Sequence, residues 1–197
     1  MKKLSTLGRI SVFIVIACIA MLWFFPLWRI DLGAPQYPEG LYMNIWIDHL
    51  SGDVETINGL NHYIGMATIH EEDFREFVYL PITFITFCIL GLGVFFWNKR
   101  IGYFIWTGLF LVIAALSMYD FWRWEYEYGH NLDPSAPIKV PGMAYQPPLI
   151  GYKKMLNFDA LSQPDIGGWF FIVAGVILTA VSFYEWRKGR RETVRLS

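Results

Sequence analysis

The stretch FVYLPITFITFCILGLGVFFW (Phe77–Trp97), followed by NKR (Asn98–Arg100) and IGYFIWTGLFLVIAALSMY (Ile101–Tyr119), decides the fold. Each apolar run is long enough to cross a hydrocarbon core, which takes about 20 residues of helix at 1.5 Å per residue. Three linking residues leave room only for a tight reversal, so the two helices form an antiparallel hairpin. Two further charge-free runs flank it, ISVFIVIACIAMLWFFPLW (Ile10–Trp28) and IGGWFFIVAGVILTAVSFY (Ile166–Tyr184). None of the four holds an acidic, basic or histidine side chain. The composition agrees. The 197 residues are 55% hydrophobic and 18% aromatic, where an ordinary soluble domain is about 45–50% apolar with glycine counted.

The charges orient these spans. The net charge of -1 hides an asymmetry: Lys2, Lys3, Arg9, Lys99, Arg100, Arg187, Lys188, Arg190, Arg191 and Arg195 all fall in three short segments on one side. The two long connections hold every acidic residue except Glu185 and Glu192. Positively charged short segments stay cytoplasmic. The expected fold is therefore a mainly α integral membrane protein, a single membrane domain in a bacterial inner membrane. Its four transmembrane helices span 10–28, 77–97, 101–119 and 166–184. Residues 1–9, 98–100 and 185–197 are cytoplasmic. A small mixed α/β cap is built from two extracytoplasmic loops, 29–76 and 120–165. The first run has a rival reading as a signal peptide, with Val15–Cys18 resembling a lipoprotein cleavage box. The apolar run continues well past Cys18, which favours a span. Cys18 and Cys88 both lie inside apolar runs and read as small buried hydrophobes, not as a disulfide or thiolate metal site.

Small residues Gly168, Gly175, Thr179 and Ser182 fall roughly on one side of the last span and predict a packing face. In the first loop, YMNIWIDHL (Tyr42–Leu50) alternates like a strand, with Met43, Ile45, Ile47 and His49 on one face. Asp53 is placed to cap a helix over DVETINGLNHYI that closes at Gly65. HEEDFRE (His70–Glu76) leads into the second span. The second loop begins as an extension of the third helix, DFWRWEYEYG, in which Asp120, Arg123 and Glu127 are spaced as a charge ladder. Five prolines between Pro134 and Pro148 preclude long helices beyond it.

The uncharged spans argue against transport and proton pumping, which place ionisable groups at membrane depth. A bis-histidine haem needs histidines on the helices, and there are none. No P-loop glycine pattern and no nucleophile motif is present, so a non-enzymatic role is expected and the loops are the working surface. All four histidines lie in them (His49, His62, His70, His130), as do Met43, Met66, Met143 and Met155. His62 and Met66 are spaced i, i+4, and Met43 and His49 share a strand face. Imidazole with thioether suits copper, Cu(I) above all. The plain alternatives are polar interface histidines and core-filling methionines. For His70 through Asp73 the plain alternative is an acidic helix start that complements the helix dipole.

The segments APQYPEGLYMNIWI (Ala34–Ile47), INGLNHYIGM (Ile57–Met66) and RWEYEYGHNLDPSAPIKVPGMAYQPPLIGYK (Arg123–Lys153) resemble a family of small polytopic membrane proteins encoded beside nitrous oxide reductase and its maturation genes. The likeness covers both loops and their order around the helices. It implies a setting, the delivery of copper to an extracytoplasmic copper enzyme. The family's recurrent segments fall on Asn61, His62, Tyr63, Gly65 and Met66, and on Pro141, Gly142 and Met143. The expected copper site then combines His62, Met66 and Met143, with His49, Met43 and His130 as second choices. The expected partners are the lipid bilayer and a copper protein or chaperone, with no nucleic acid. The competing expectation is a structural or anchoring subunit of a membrane respiratory complex, carrying no metal of its own.

Overall fold

The computed structural model describes residues 2–155 and 157–194. Among them are five helices: α1 (Thr6–Ala20), α2 (Val54–Ile64), α3 (Glu76–Trp97), α4 (Arg100–His130) and α5 (Ile166–Val194). All but α2 are long and apolar enough to cross a membrane, α1 with the 3-10 turn Met21–Trp23 that prolongs it. They form a ring in which α1 lies against α5 and α3, and α4 against the same two. The first helical stretch ends short of the expected Trp28. Pro26 cannot continue a helix and disfavours helical geometry in the residue before it, and Trp28 instead opens a strand. The helix α4 runs well past Tyr119. Its 31 residues make roughly 46 Å at 1.5 Å each, against a hydrocarbon core of about 30 Å.

The bundle interior is filled by Val12, Val15, Ile19, Leu22, Phe87, Trp106, Ala174 and Leu178, nearly all without exposed surface. Gly91 leaves the space into which the Trp106 ring fits, stacked on Phe87 at 4.8 Å. The Trp106 indole donates to the Phe87 carbonyl at 3.0 Å. Gly175 meets the Phe110 ring, and Ser182 Oγ lies 2.9 Å from Thr107 Oγ1. Thr179 is exposed and bonds its own helix at Gly175 O, so the small-residue face of α5 omits it.

At the basic end the chain is laced together. Leu4 N donates to Asn98 O (3.2 Å), Lys2 Nζ to Gly189 O (2.6 Å) and Ser5 N to Glu185 Oε1 (3.0 Å). Arg100 Nε lies 2.8 Å from Glu185 Oε2, an ion pair without hydrogen-bond alignment. Glu185 is wholly buried and Arg100 nearly so.

At the other end lie five antiparallel strands: β1 (Trp28–Ala34), β2 (Tyr37–Ile45), β3 (Leu50–Gly52), β4 (Gly151–Met155) and β5 (Phe158–Pro164). They form one sheet in the order β3-β2-β1-β5-β4. The central pair, β1 with β5, joins the two long connections in the register Trp28↔Pro164, Ile30↔Ser162, Leu32↔Ala160. The strand expected over Tyr42–Leu50 is two strands. Residues 46–49 are a turn between them, with Trp46 N donating to His49 O at 2.9 Å. Ile30, Leu41, Met43, Leu50, Ile57 and Ile69 form a second core, against which Phe74, Phe121, Trp124 and Tyr128 pack. The outer turns of α4 and the short α2 thus cover one face of the sheet.

Candidate functional site

Beyond Tyr119, α4 keeps one face inward and one outward. Phe121, Trp124, Glu125, Tyr128 and Gly129 are buried or half-buried, while Trp122, Arg123, Tyr126, Glu127 and His130 are exposed. The inward set recurs at intervals of three and four, as one helix face does. Gly129 matters here because the backbone of Gln146 lies against it where any Cβ would overlap. That close approach, held by Tyr145 N donating to Gly129 O at 2.9 Å, draws the chain around Tyr145 and Pro147 over the helix. The result is a cavity of about 70 Å³ between the sheet, α2 and α4. By the space a water needs, it suits an ion or a few waters rather than an organic substrate.

Its lining is apolar apart from Glu125, Asn61 and Tyr145, and it includes three methionines, Met43, Met66 and Met155. Met66 arrives there because α2 ends at Gly65 in the left-handed conformation, φ 81°, which glycine adopts without steric cost. Met66 N then donates to Asn61 O at 2.9 Å. Glu125 has no exposed surface, and neither of its carboxylate oxygens accepts a hydrogen bond; the Tyr145 hydroxyl is also unpartnered. Burial pushes the Glu125 carboxyl up to about 8, and the charge of Lys153 pulls it down less strongly. Lys153 Nζ donates to Gln146 O, at 2.8 Å, and not to Glu125. An ionised carboxylate enclosed without donors is costly. Glu125 is therefore either protonated or matched by a cation.

The residues singled out in the sequence divide cleanly. Met43 and Met66 line the cavity; His62, Met143, His49 and His130 do not. His62 is exposed, its ring edge-on to Tyr63. Gly65 turns the chain before Met66 and so separates the i, i+4 pair. His49 Nδ1 lies 2.7 Å from Asp48 Oδ1, and the ring stacks on Trp46. His130 stacks on Tyr126, with Nδ1 2.9 Å from the Tyr126 carbonyl. Met143 is half-buried in a turn closed by its N–H to Val140 O. Near His70 the acidic run serves local structure: Glu71 Oε1 accepts from Leu50 N at 2.7 Å.

Sequence reasoning missed Glu125 and Tyr145, and it named Met155 among the loop methionines without placing it in the site. The available signal for Glu125 was its i, i+4 spacing from Phe121 on the face that Trp124 and Tyr128 share. Among the described residues no three His, Cys, Asp or Glu side chains converge as a metal-binding group. The cavity's potential ligands are thioethers and one carboxylate. Comparison of the chain with protein-family models, with curated proteins and with solved structures finds no match.

Proposed function

We propose that this chain is a multi-pass inner-membrane protein with both termini cytoplasmic, and that its sheet and α2 form an extracytoplasmic cap holding Cu(I) for delivery to a copper enzyme. The observation that carries the reading is the convergence of Met43, Met66, Met155 and Glu125 on one ion-sized cavity. Three neutral thioethers favour a soft monovalent ion over harder divalent ones. The buried carboxylate supplies the one negative charge that such an ion needs in a low-dielectric interior. The basic segments at the opposite end of the helices support the orientation. The setting is the one implied by the resemblance of the loops to proteins encoded with nitrous oxide reductase maturation genes. Nothing in the cavity makes an acid–base pair, so the role is holding and transfer.

The test is competition for Cu(I) against a chelator with the detergent-purified protein. One equivalent is expected to bind. The Met43→Leu/Met66→Leu/Met155→Leu triple variant is expected to lose at least tenfold in affinity, and His62→Ala to keep wild-type affinity. Unchanged affinity in the triple variant sinks the proposal. Absence of binding together with a stoichiometric membrane partner would favour the anchoring-subunit reading.

A further inference from the structure

We infer that an apolar hollow beneath the sheet seats one phospholipid whose ammonium headgroup is held by the carboxyl pair Glu76 and Asp120. Two spaces, of about 420 and 490 Å³, share Ile45, Leu80, Ser117 and Phe121 in their linings. One reaches inward to Phe84, Phe110 and Phe171. The other reaches outward to Glu76, Tyr79, Tyr119 and Asp120. Both indoles at the inner end are committed elsewhere: Trp28 Nε1 donates to Ser162 Oγ at 2.7 Å and Trp46 Nε1 to Ser51 Oγ at 2.9 Å. Whatever enters the hollow finds almost no free polar side chain, so its buried part is hydrocarbon.

The open end has a different chemistry. Asp120 and Glu76 line the same mouth, and burial together with that acidic neighbour raises the Asp120 carboxyl above its ordinary value, with Arg123 opposing. Arg123 Nη2 lies 3.3 Å from Asp120 Oδ1 and is largely exposed. A carboxyl pair beside an exposed guanidinium complements a zwitterion: ammonium against the acids, phosphate against the outward face of Arg123. A headgroup with only negative charge faces two acids and is disfavoured. Exposed Tyr79 and Tyr119 line this mouth, with Trp122 against Tyr119, and such aromatic residues collect at headgroup depth. The hollow therefore runs from the headgroup level into the hydrocarbon. This inference rests on the membrane reading and is independent of copper.

The experiment reconstitutes the full chain into bilayers of equal ethanolamine and glycerol phospholipid, then counts the lipids retained after detergent release by native mass spectrometry. The wild type is expected to keep one ethanolamine phospholipid per chain, several-fold over the glycerol lipid. Glu76→Gln/Asp120→Asn, changes at the open rim, is expected to keep a lipid but lose the preference. Ser117→Phe, which fills the junction of the two spaces, is expected to lose the lipid, with thermal unfolding as the control for folding. Equal retention of the two lipids by the wild type, or an unchanged preference in the rim variant, overturns the inference alone. Recovery of the chain from cells in the soluble fraction after an alkaline wash overturns it together with the membrane reading.

Discussion

Among the described residues two glutamates are completely buried, one towards each end of the helices, and they are treated in opposite ways. Glu185 is met by the Arg100 guanidinium and by the Ser5 N–H. Glu125 accepts no hydrogen bond among the described residues. The first ties α5 to the start of α4 and to the N-terminal segment, so its charge is matched and its work is architectural. The second sits among thioethers in a cavity where its charged form has no donor. A buried acid with partners holds a structure together. One without partners lowers stability when ionised, and it persists where something outside the chain completes it.

Three experiments would break or sharpen that contrast. The largest effect is expected from Arg100→Ala, which leaves Glu185 buried and uncompensated. Removing one partner of a buried pair costs about 3–5 kcal/mol, readable by unfolding in detergent, and Arg100→Ala/Glu185→Leu should regain much of it. A loss below about 1 kcal/mol would mean that the pair is not structural.

The next effect is pH dependence at the other end. Glu125 titrates near 8 in the folded protein and from 4.5 without the fold. Between those values the folded state keeps a proton that the unfolded state has released. Its contribution to stability is thus full below about pH 4.5, falls by up to about 1.4 kcal/mol per pH unit towards 8, and is then level. Metal-free Glu125→Gln should lack this slope, so the wild-type-minus-variant difference should fall with pH across that window. A flat difference would show that Glu125 finds a donor. The smallest effect is expected for Thr107→Val, which removes the bond to Ser182 inside the bundle. About 1 kcal/mol is expected by the same unfolding measurement, and a value near zero would leave shape alone to hold α4 on α5.

The bundle was legible because helices long and apolar enough to cross a bilayer are marked by length and apolarity, and little else. The departures have local causes. Pro26 ends the first helical stretch early, and Asp53, which does sit at the N-cap of α2, turns its carboxylate to accept from Tyr42 N at 3.0 Å rather than from the helix. The left-handed Gly65 was legible, since glycine at a helix end has few other uses. The strands β1, β4 and β5 were not. In β1, Arg29 and Asp31 alternate with Ile30 and Leu32, a pattern too short to stand out. In β5 the inward residue Ser162 is polar, and its burial is explained by the bond it accepts from Trp28 and the one it donates to Leu149 O. The cavity was the least legible part. Glu125 reads as a solvent-facing charge until the Gln146 backbone is seen against Gly129, a contact that no spacing along the chain encodes.

The pairing of β1 with β5 has a consequence for biogenesis. Strand β1 emerges early in synthesis, and its partner β5 is made only after α2, α3 and α4. At about 5–20 residues per second that interval is on the order of ten seconds. During it, the hairpin of β1 and β2 can close, yet the far edge of β1 stays open to pairing with any stray strand. The last strand to arrive closes the middle of the sheet. A ribosome that stops early therefore releases a chain with an adhesive edge, which marks it for capture by quality control.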